Sequence, residues 1–330
     1  MGGALVDTYG REIMDLRVSV TDRCNLRCHY CMPAEGLAWA PKDEELEFAE
    51  IERIVSLFAD LGVRSVRLTG GEPLVRRNLP ELVERIAAID AIEDISLTTN
   101  GILLESMIQP LVDAGLTRVN ISLDALTPER YREITRRKGL KQVLSGLSAL
   151  ERYPQLGPIK VNVVAVRGMT DLEILDFAEL ARRKPYVVRF LEFMPLDADE
   201  EWSDDVLLTG AEIRSVIESV HDLVPLAGES AATSSRFAFA DHAGEIGFVS
   251  PVSEPFCGTC DRARLTADGQ LRTCLFALGE TDLRNPMREG VTNGELEDLI
   301  RNAIWRKPAG HRIGDSSFTQ PGRSMSQIGG

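Results

Sequence analysis

No stretch of the 330-residue chain approaches the roughly 18 consecutive apolar residues that a membrane-spanning helix needs. The opening segment lacks the unbroken apolar run of a secretory leader, because Asp7, Arg11 and Glu12 interrupt it, so the chain is expected to be cytoplasmic and not bound to a membrane. Excess glycine and proline are missing too, with Gly 27 and Pro 16, and no internal repeat or long linker is visible, which sets aside collagen-like and low-complexity architectures. Positive charge is in deficit: 37 Lys and Arg against 51 Asp and Glu leave a formal net charge of -14. That field repels a polyanion unless basic residues cluster locally, which argues against nucleic-acid binding. What is abundant is apolar side chain, 44% of the chain, enough for one large domain or two modest ones.

Short β-branched runs alternate with longer amphipathic segments. Strands are expected at 16–20, 63–68, 95–98, 119–122, 159–166 and 187–191, with helices at 48–61, 79–89, 103–114, 128–135, 140–152 and 172–183. Pro110 is expected to kink or shorten the third of these helices. Such alternation implies right-handed βαβ units and a parallel sheet, either doubly wound or a barrel; six units are too few for the eight-fold barrel. In both, ligands gather at the carboxyl ends of the strands, where the segments 21–31, 69–73 and 98–101 fall. After about residue 195 the rhythm changes to an acidic loop, a helix at 211–221, strand-like pieces through 237–249 and a helix at 294–305.

The six cysteines form two trios, Cys24, Cys28 and Cys31, then Cys257, Cys260 and Cys274. Odd-numbered clusters in a reducing compartment suit metal ligation better than disulfides. A structural zinc takes four protein ligands, which His29 near the first trio or His242 upstream of the second would have to complete. A cubane held by three cysteines leaves one iron open to a substrate. Spacing alone keeps zinc open at the second trio, although Arg262 and Arg264 directly after Cys260 suit a phosphate-bearing ligand beside an open metal position.

The C-x3-C-x2-C motif with Tyr30 before its last cysteine, followed by Gly70-Gly71-Glu72-Pro73 after the next strand, resembles the radical S-adenosylmethionine enzymes. The second trio, Arg262-Ala263-Arg264, Thr98-Thr99-Asn100-Gly101, Asn120 to Asp124, Ile159 to Asn162, Arg189 to Met194 and the Gly329-Gly330 end resemble one branch of that superfamily, the GTP 3′,8-cyclases of molybdenum cofactor biosynthesis. The resemblance spans nearly the whole chain. It implies an α/β fold, an incomplete six-unit TIM-like barrel over residues 1–195, with a smaller α+β region at 196–330 closing the open side and carrying the second cluster.

The same resemblance implies two 4Fe-4S clusters, on Cys24, Cys28 and Cys31 and on Cys257, Cys260 and Cys274. Tyr30, Gly71, Ser122 and Met194 would contact S-adenosylmethionine, the glycine letting backbone approach the methionine amine. Arg17, Arg67, Thr98, Lys160, Arg262 and Arg264 would contact GTP, with Arg189 a weaker polar candidate and the terminal glycines reaching toward the active site. No protein side chain is expected to be catalytic in its own right, because the cofactor carries the hard step. A 5′-deoxyadenosyl radical would take the ribose 3′ hydrogen of GTP, and the resulting carbon radical would attack C8 of guanine. A flavodoxin- or ferredoxin-like reductant, a downstream cyclic pyranopterin synthase and a homodimer are further expectations of the resemblance. The competing readings are a radical S-adenosylmethionine enzyme that modifies a peptide with an auxiliary cluster, and a non-catalytic iron-sulfur or zinc protein.

Overall fold

A computed structural model of the chain describes residues 3–199, 201–227 and 233–329. Six parallel strands form its centre: β1 (Asp15–Ser19), β2 (Ser65–Thr69), β3 (Asp94–Thr99), β4 (Arg118–Ser122), β5 (Ile159–Ala165) and β6 (Tyr186–Glu192). Between them run α1 (Phe48–Asp60), α2 (Leu79–Ala87), α3 (Leu104–Asp113), α4 (Pro128–Thr135), α5 (Leu140–Leu150) and α6 (Ile174–Arg183). Pro110 lies inside α3 on an exposed position and the helix continues through it to Asp113.

The period-two alternation of each strand sorts its side chains between two layers. Leu16, Val18, Val66, Leu68, Val119 and Val161 are buried with the apolar sides of the helices in one continuous core. The intervening positions, among them Asp15, Arg17, Arg67, Asn162 and Arg189, turn to the concave face, where a polar lumen keeps them only partly enclosed. The carbon core therefore lies outside the strands and the chemistry inside them.

The rest of the chain extends the same sheet at both edges. Helix α7 (Gly210–Glu218), opened by a reciprocal Thr209 and Glu212 cap, precedes β7 (Leu223–Pro225), β8 (Ser235–Phe239) and β9 (Glu245–Val249), and β9 pairs parallel with β6. Then β10 (Arg262–Leu265), β11 (Gln270–Arg272) and β12 (Thr281–Asp282) follow, and β10 pairs parallel with β1. The order is β12-β11-β10-β1-β2-β3-β4-β5-β6-β9-β8-β7, an open sheet. The incomplete barrel is thus as expected, with the C-terminal region flanking both of its edges. Helices α8 (Arg284–Arg288), α9 (Asn293–Trp305) and α10 (Met325–Ile328) complete the chain.

Two polar anchors tie this region to the centre. Arg11, 8% exposed, donates to Asp7 at 2.6 Å and to the carbonyls of Cys257, Ala309 and Pro308 at 2.7, 2.9 and 2.6 Å. Glu192 accepts from the amides of Gly210, Val252 and Ser253 at 3.1, 3.0 and 2.9 Å, holding the start of α7 and the loop after β9. No helix among the described residues is long and apolar enough to cross a membrane.

Strand β1 is central because it is flanked by β2 on one side and β10 on the other. Leu16→Ala, at a fully buried position, is expected to cost about 2–5 kcal/mol, read as a lowered urea midpoint. The exposed Leu172→Ala should leave that midpoint in place.

Candidate active site

The loop after β1 carries the first trio and is docked on the end of α4, with the amides of Arg27 and His29 donating to the carbonyls of Thr135 and Ile134 at 3.0 and 3.1 Å. Its far side meets the glycine loop after β2: the amides of Gly71 and Glu72 donate to the carbonyls of Thr21 and Arg23, both at 2.8 Å. A β-carbon at Gly71 would stand 2.5 Å from the carbonyl oxygens of Asp22 and Arg23, and one at Gly70 2.5 Å from that of Thr21. The two glycines therefore serve first to let this loop close onto the cysteine loop. Approach of a ligand to their backbone, the expectation from sequence, is a separate matter.

Cys24, Cys28 and Cys31 are free thiols lining a cavity with Tyr30, Gly71, Glu72, Thr98, Ser122 and Asp124. Tyr30 donates to Asp124 at 2.5 Å, and Asp124 accepts from the Val164 amide at 2.8 Å. Glu72, 1% exposed, accepts from the Thr99 hydroxyl and the Asn100 and Leu74 amides at 2.6, 2.7 and 3.0 Å. Burial pushes the Glu72 carboxyl up to about 7, against those three bonds, and the Asp124 carboxyl up to about 6, against the bonds from Tyr30 and Val164. Burial likewise raises the thiols, Cys24 to about 11 and Cys31 to about 12. His29 is turned away from metal ligation, since its Nδ1 meets the Arg136 guanidinium at 2.9 Å.

The second trio is assembled by a hairpin. Cys260 lies just before β10 and Cys274 just after β11, and the antiparallel pairing of Arg264 with Arg272 returns both to one end; Cys257 precedes Cys260 on a short turn, its carbonyl accepting from the Cys260 amide at 3.2 Å. Because β10 runs parallel to β1, with Arg262 beside Asp15, this end is the amino end of the barrel strands. The first trio stands at their carboxyl end. The informative loops of the first half do share one rim, as expected, but the second trio faces them from the other end of the lumen.

Between the trios lies a cavity lined by Arg17, Arg67, Thr98, Asn162, Arg189, Met194, Arg262, Arg264 and the second trio. Strand register sets Arg264, Arg17 and Arg67 side by side across β10, β1 and β2. Burial holds Arg17 well below the ordinary arginine value, and Arg264 and Arg67 lower it further, while Asp15 opposes them. Burial and Arg262 lower Arg264 to about 10. The Nε atoms of Arg17 and Arg262 are buried without a hydrogen-bond partner. Unspent donors among crowded cations are what an incoming polyanion satisfies.

Of the residues expected to contact GTP, Arg17, Arg67, Thr98, Arg262 and Arg264 line this cavity, and Thr98 also lines that of the first trio. Lys160 lines neither, although burial and then Arg189, Arg118 and Arg67 lower it to about 8. Tyr30, Gly71 and Ser122 line the first-trio cavity, whereas Met194 lines the arginine cavity. Asn162 and Asn120 accept from Arg189 at 2.9 and 3.0 Å, a polar wall that sequence reading left almost unassigned. His242 sits exposed on the turn between β8 and β9 and lines neither cavity.

The electrostatics of the trios differ. Around the second, burial raises the Cys274 thiol as it does the first trio, but at Cys260 burial is outweighed by Arg262 and Lys307, which hold that thiol below its ordinary value. The C-terminal segment joins the two sites: Met325 and Ser326 line the first cavity with Cys31, and the Gly329 carbonyl accepts from Arg264 at 2.5 Å. Gly329 has φ +86° and a β-carbon there would meet Thr69 at 2.6 Å, so this end needs glycine. Gly330 lies outside the described residues.

Residues 18–181 match the Radical SAM superfamily and residues 186–313 match Molybdenum Cofactor Synthesis C. The chain is 46% identical to the GTP 3′,8-cyclase of Streptomyces coelicolor, across 99% of this chain and 96% of that one. It is 45% identical to that of Desulforamulus reducens, across 99% and 100%. The chain belongs to the GTP 3′,8-cyclase family. Among solved structures, Streptococcus suis SuiB is similar in fold at 15% identity and a TM-score of 0.59, over 89% of this chain and 67% of that one. The same protein bound to S-adenosylmethionine gives a TM-score of 0.56 at 15% identity, over 86% and 68%. The fold of this chain is thus shared with a protein of quite different sequence.

The raised Glu72 carboxyl has a consequence for stability. A folded-state value above the unfolded one gives stability that is complete below the unfolded value near 4.5 and lost as pH rises through about 7. Metal-free protein should therefore lose on the order of 3 kcal/mol between about pH 5 and pH 8 relative to Glu72→Gln. Paired urea titrations at the two pH values check this; parallel curves would contradict it.

Proposed function

We propose that the chain is a radical S-adenosylmethionine enzyme that converts GTP to 3′,8-cyclo-7,8-dihydroguanosine 5′-triphosphate, an early step of molybdenum cofactor biosynthesis. The observation that carries the reading is the register-matched row Arg264, Arg17 and Arg67, with the buried Nε of Arg17 and of neighbouring Arg262 without a hydrogen-bond partner, between two three-cysteine sites. Cys24, Cys28 and Cys31 would hold one 4Fe-4S cluster and Cys257, Cys260 and Cys274 another, since three soft thiolate donors suit iron-sulfur ligation. When bound, the first cluster and S-adenosylmethionine would supply the radical chemistry that takes the ribose 3′ hydrogen of GTP; C3′ would bond to C8 of guanine, and one electron and one proton would complete the dihydro product.

The chain's own side chains bind and orient. Arg17, Arg67, Arg262 and Arg264, with Thr98, grip the triphosphate, and Lys160 adds charge to the lumen from β5, on the face that also carries Asn162. The Arg189, Asn162 and Asn120 wall supplies fixed polar groups beside them. Tyr30, Gly71 and Ser122 cradle S-adenosylmethionine, Tyr30 being held in place by Asp124, and Met194 lies on the GTP side of it. The C-terminal segment helps to keep water out of the space between the sites. A barrel core over 1–195 and a C-terminal region over 196–330 describe the division of labour, with a cytoplasmic setting, a flavodoxin- or ferredoxin-like reductant, a downstream cyclic pyranopterin synthase and a homodimer as its surroundings.

Anaerobic incubation with GTP, S-adenosylmethionine and dithionite should release 5′-deoxyadenosine together with a cyclised nucleotide, from protein carrying about eight irons per chain. Arg17→Ala is expected to weaken GTP binding roughly 10- to 100-fold, the worth of a charge-assisted contact, with the iron content unchanged. Unaltered GTP affinity in that variant would remove Arg17 from the site.

A further inference from the structure

Lys307 follows the end of α9 and is 3% exposed. Its amide donates to the carbonyl of Ile304 at 2.9 Å, which fixes its backbone to the helix end. The side chain runs inward to the second trio. Nζ donates to the carbonyl of Arg262 at 2.7 Å and to the carbonyl of Thr273, and its charge acts on the Cys260 and Cys274 thiols. An ammonium has three N–H groups, and two of them are spent on these carbonyls. Arg262 lies two residues after Cys260 and Thr273 immediately before Cys274, so one side chain ties together the two arms of the hairpin that carry these cysteines.

Among the described residues no Asp or Glu forms an ion pair with Lys307; the negative charge it meets is that of Cys260 and Cys274, while Arg11 repels it. A buried ammonium without an opposite charge is costly. Three thiolates around an iron-sulfur core supply that charge, and hydrogen bonds and positive charge at the ligand sulfurs favour the reduced core. We propose that Lys307 is a positioning residue for the second cluster, its counter-charge and the clasp of the Cys260 and Cys274 arms, and that it raises that cluster's reduction potential. This rests on the reading that Cys257, Cys260 and Cys274 hold a cluster.

The test uses anaerobically reconstituted full-length protein, with iron content and a potentiometric titration followed by electron paramagnetic resonance. Wild type is measured first: iron for one cluster only would sink the second-cluster reading and this inference with it. Given two clusters, Lys307→Gln and Lys307→Met are expected either to shift the second cluster's midpoint to more negative potential or to lose its iron alone. The first cluster's signal should stay in place, and Lys307→Arg should restore both quantities. Neutral variants that keep the second cluster's iron and midpoint overturn the proposal, as does an arginine variant that behaves like the glutamine one.

Discussion

The parallel pairing of β10 with β1 is the constraint on which the site depends. It joins residues about 250 positions apart in sequence and sets Arg264 level with Arg17 and Arg262 level with Asp15. Without it the cavity would keep Arg17, Arg67 and Arg189 but lose Arg262 and Arg264, and the second trio would have no fixed relation to the first. Crowding buried guanidiniums is unfavourable by itself, as the lowered values of Arg17 and Arg264 express. The fold tolerates that cost because the backbone ladder and the apolar layer behind β1, with Leu16 and Val18 fully buried, hold the strands regardless of what their inner faces carry. An acidic chain thereby keeps a strongly cationic lumen.

The two cysteine sites sit in opposite fields. Near the first stand buried Glu72 and Asp124, whose raised values reflect a poorly solvated pocket, and a sulfonium with its ammonium group is the kind of ligand such carboxylates welcome. Near the second stand Arg262, Arg264 and Lys307, a surrounding suited to anions and to an electron-rich core. Substrate polarity and site polarity thus match at both ends of one lumen, and Thr98, which borders both cavities, marks where the two ligands would meet.

Much of this was legible in sequence, and the exceptions share a cause. Strand and helix positions followed from period-two and 3.6-residue patterning, and each trio announced itself by spacing. Side-chain neighbourhoods across strands were not legible, because register is decided by backbone pairing and not by composition. Hence Met194 falls on the arginine side, Lys160 shares the concave face with Asn162 but stands outside both cavities, and the second trio falls at the amino end of the strands. The cap at Thr209 could be read from Glu212 three residues on; nothing in Arg306-Lys307-Pro308 separates a buried clasp from a surface lysine. Arg11 is similar, a residue in a polar N-terminal stretch that turns out to bridge Asp7 and the carbonyl of Cys257.

The glycines illustrate how a motif and its physical basis can diverge. The resemblance implies that Gly71 lets backbone approach a ligand, while the space where β-carbons at Gly70 and Gly71 would stand is filled by the carbonyls of residues 21 to 23. Their absence of side chains lets two loops from adjacent strands share a backbone ladder, and that ladder holds the cysteine loop at a fixed height above the barrel. A larger residue there would act on the metal site by displacing its loop before it touched any ligand. Positioning, in this lumen, is done largely by backbone: carbonyls of Arg262 and Thr273 at one end, carbonyls of Thr21 and Arg23 at the other, and side chains such as Lys307 that read them.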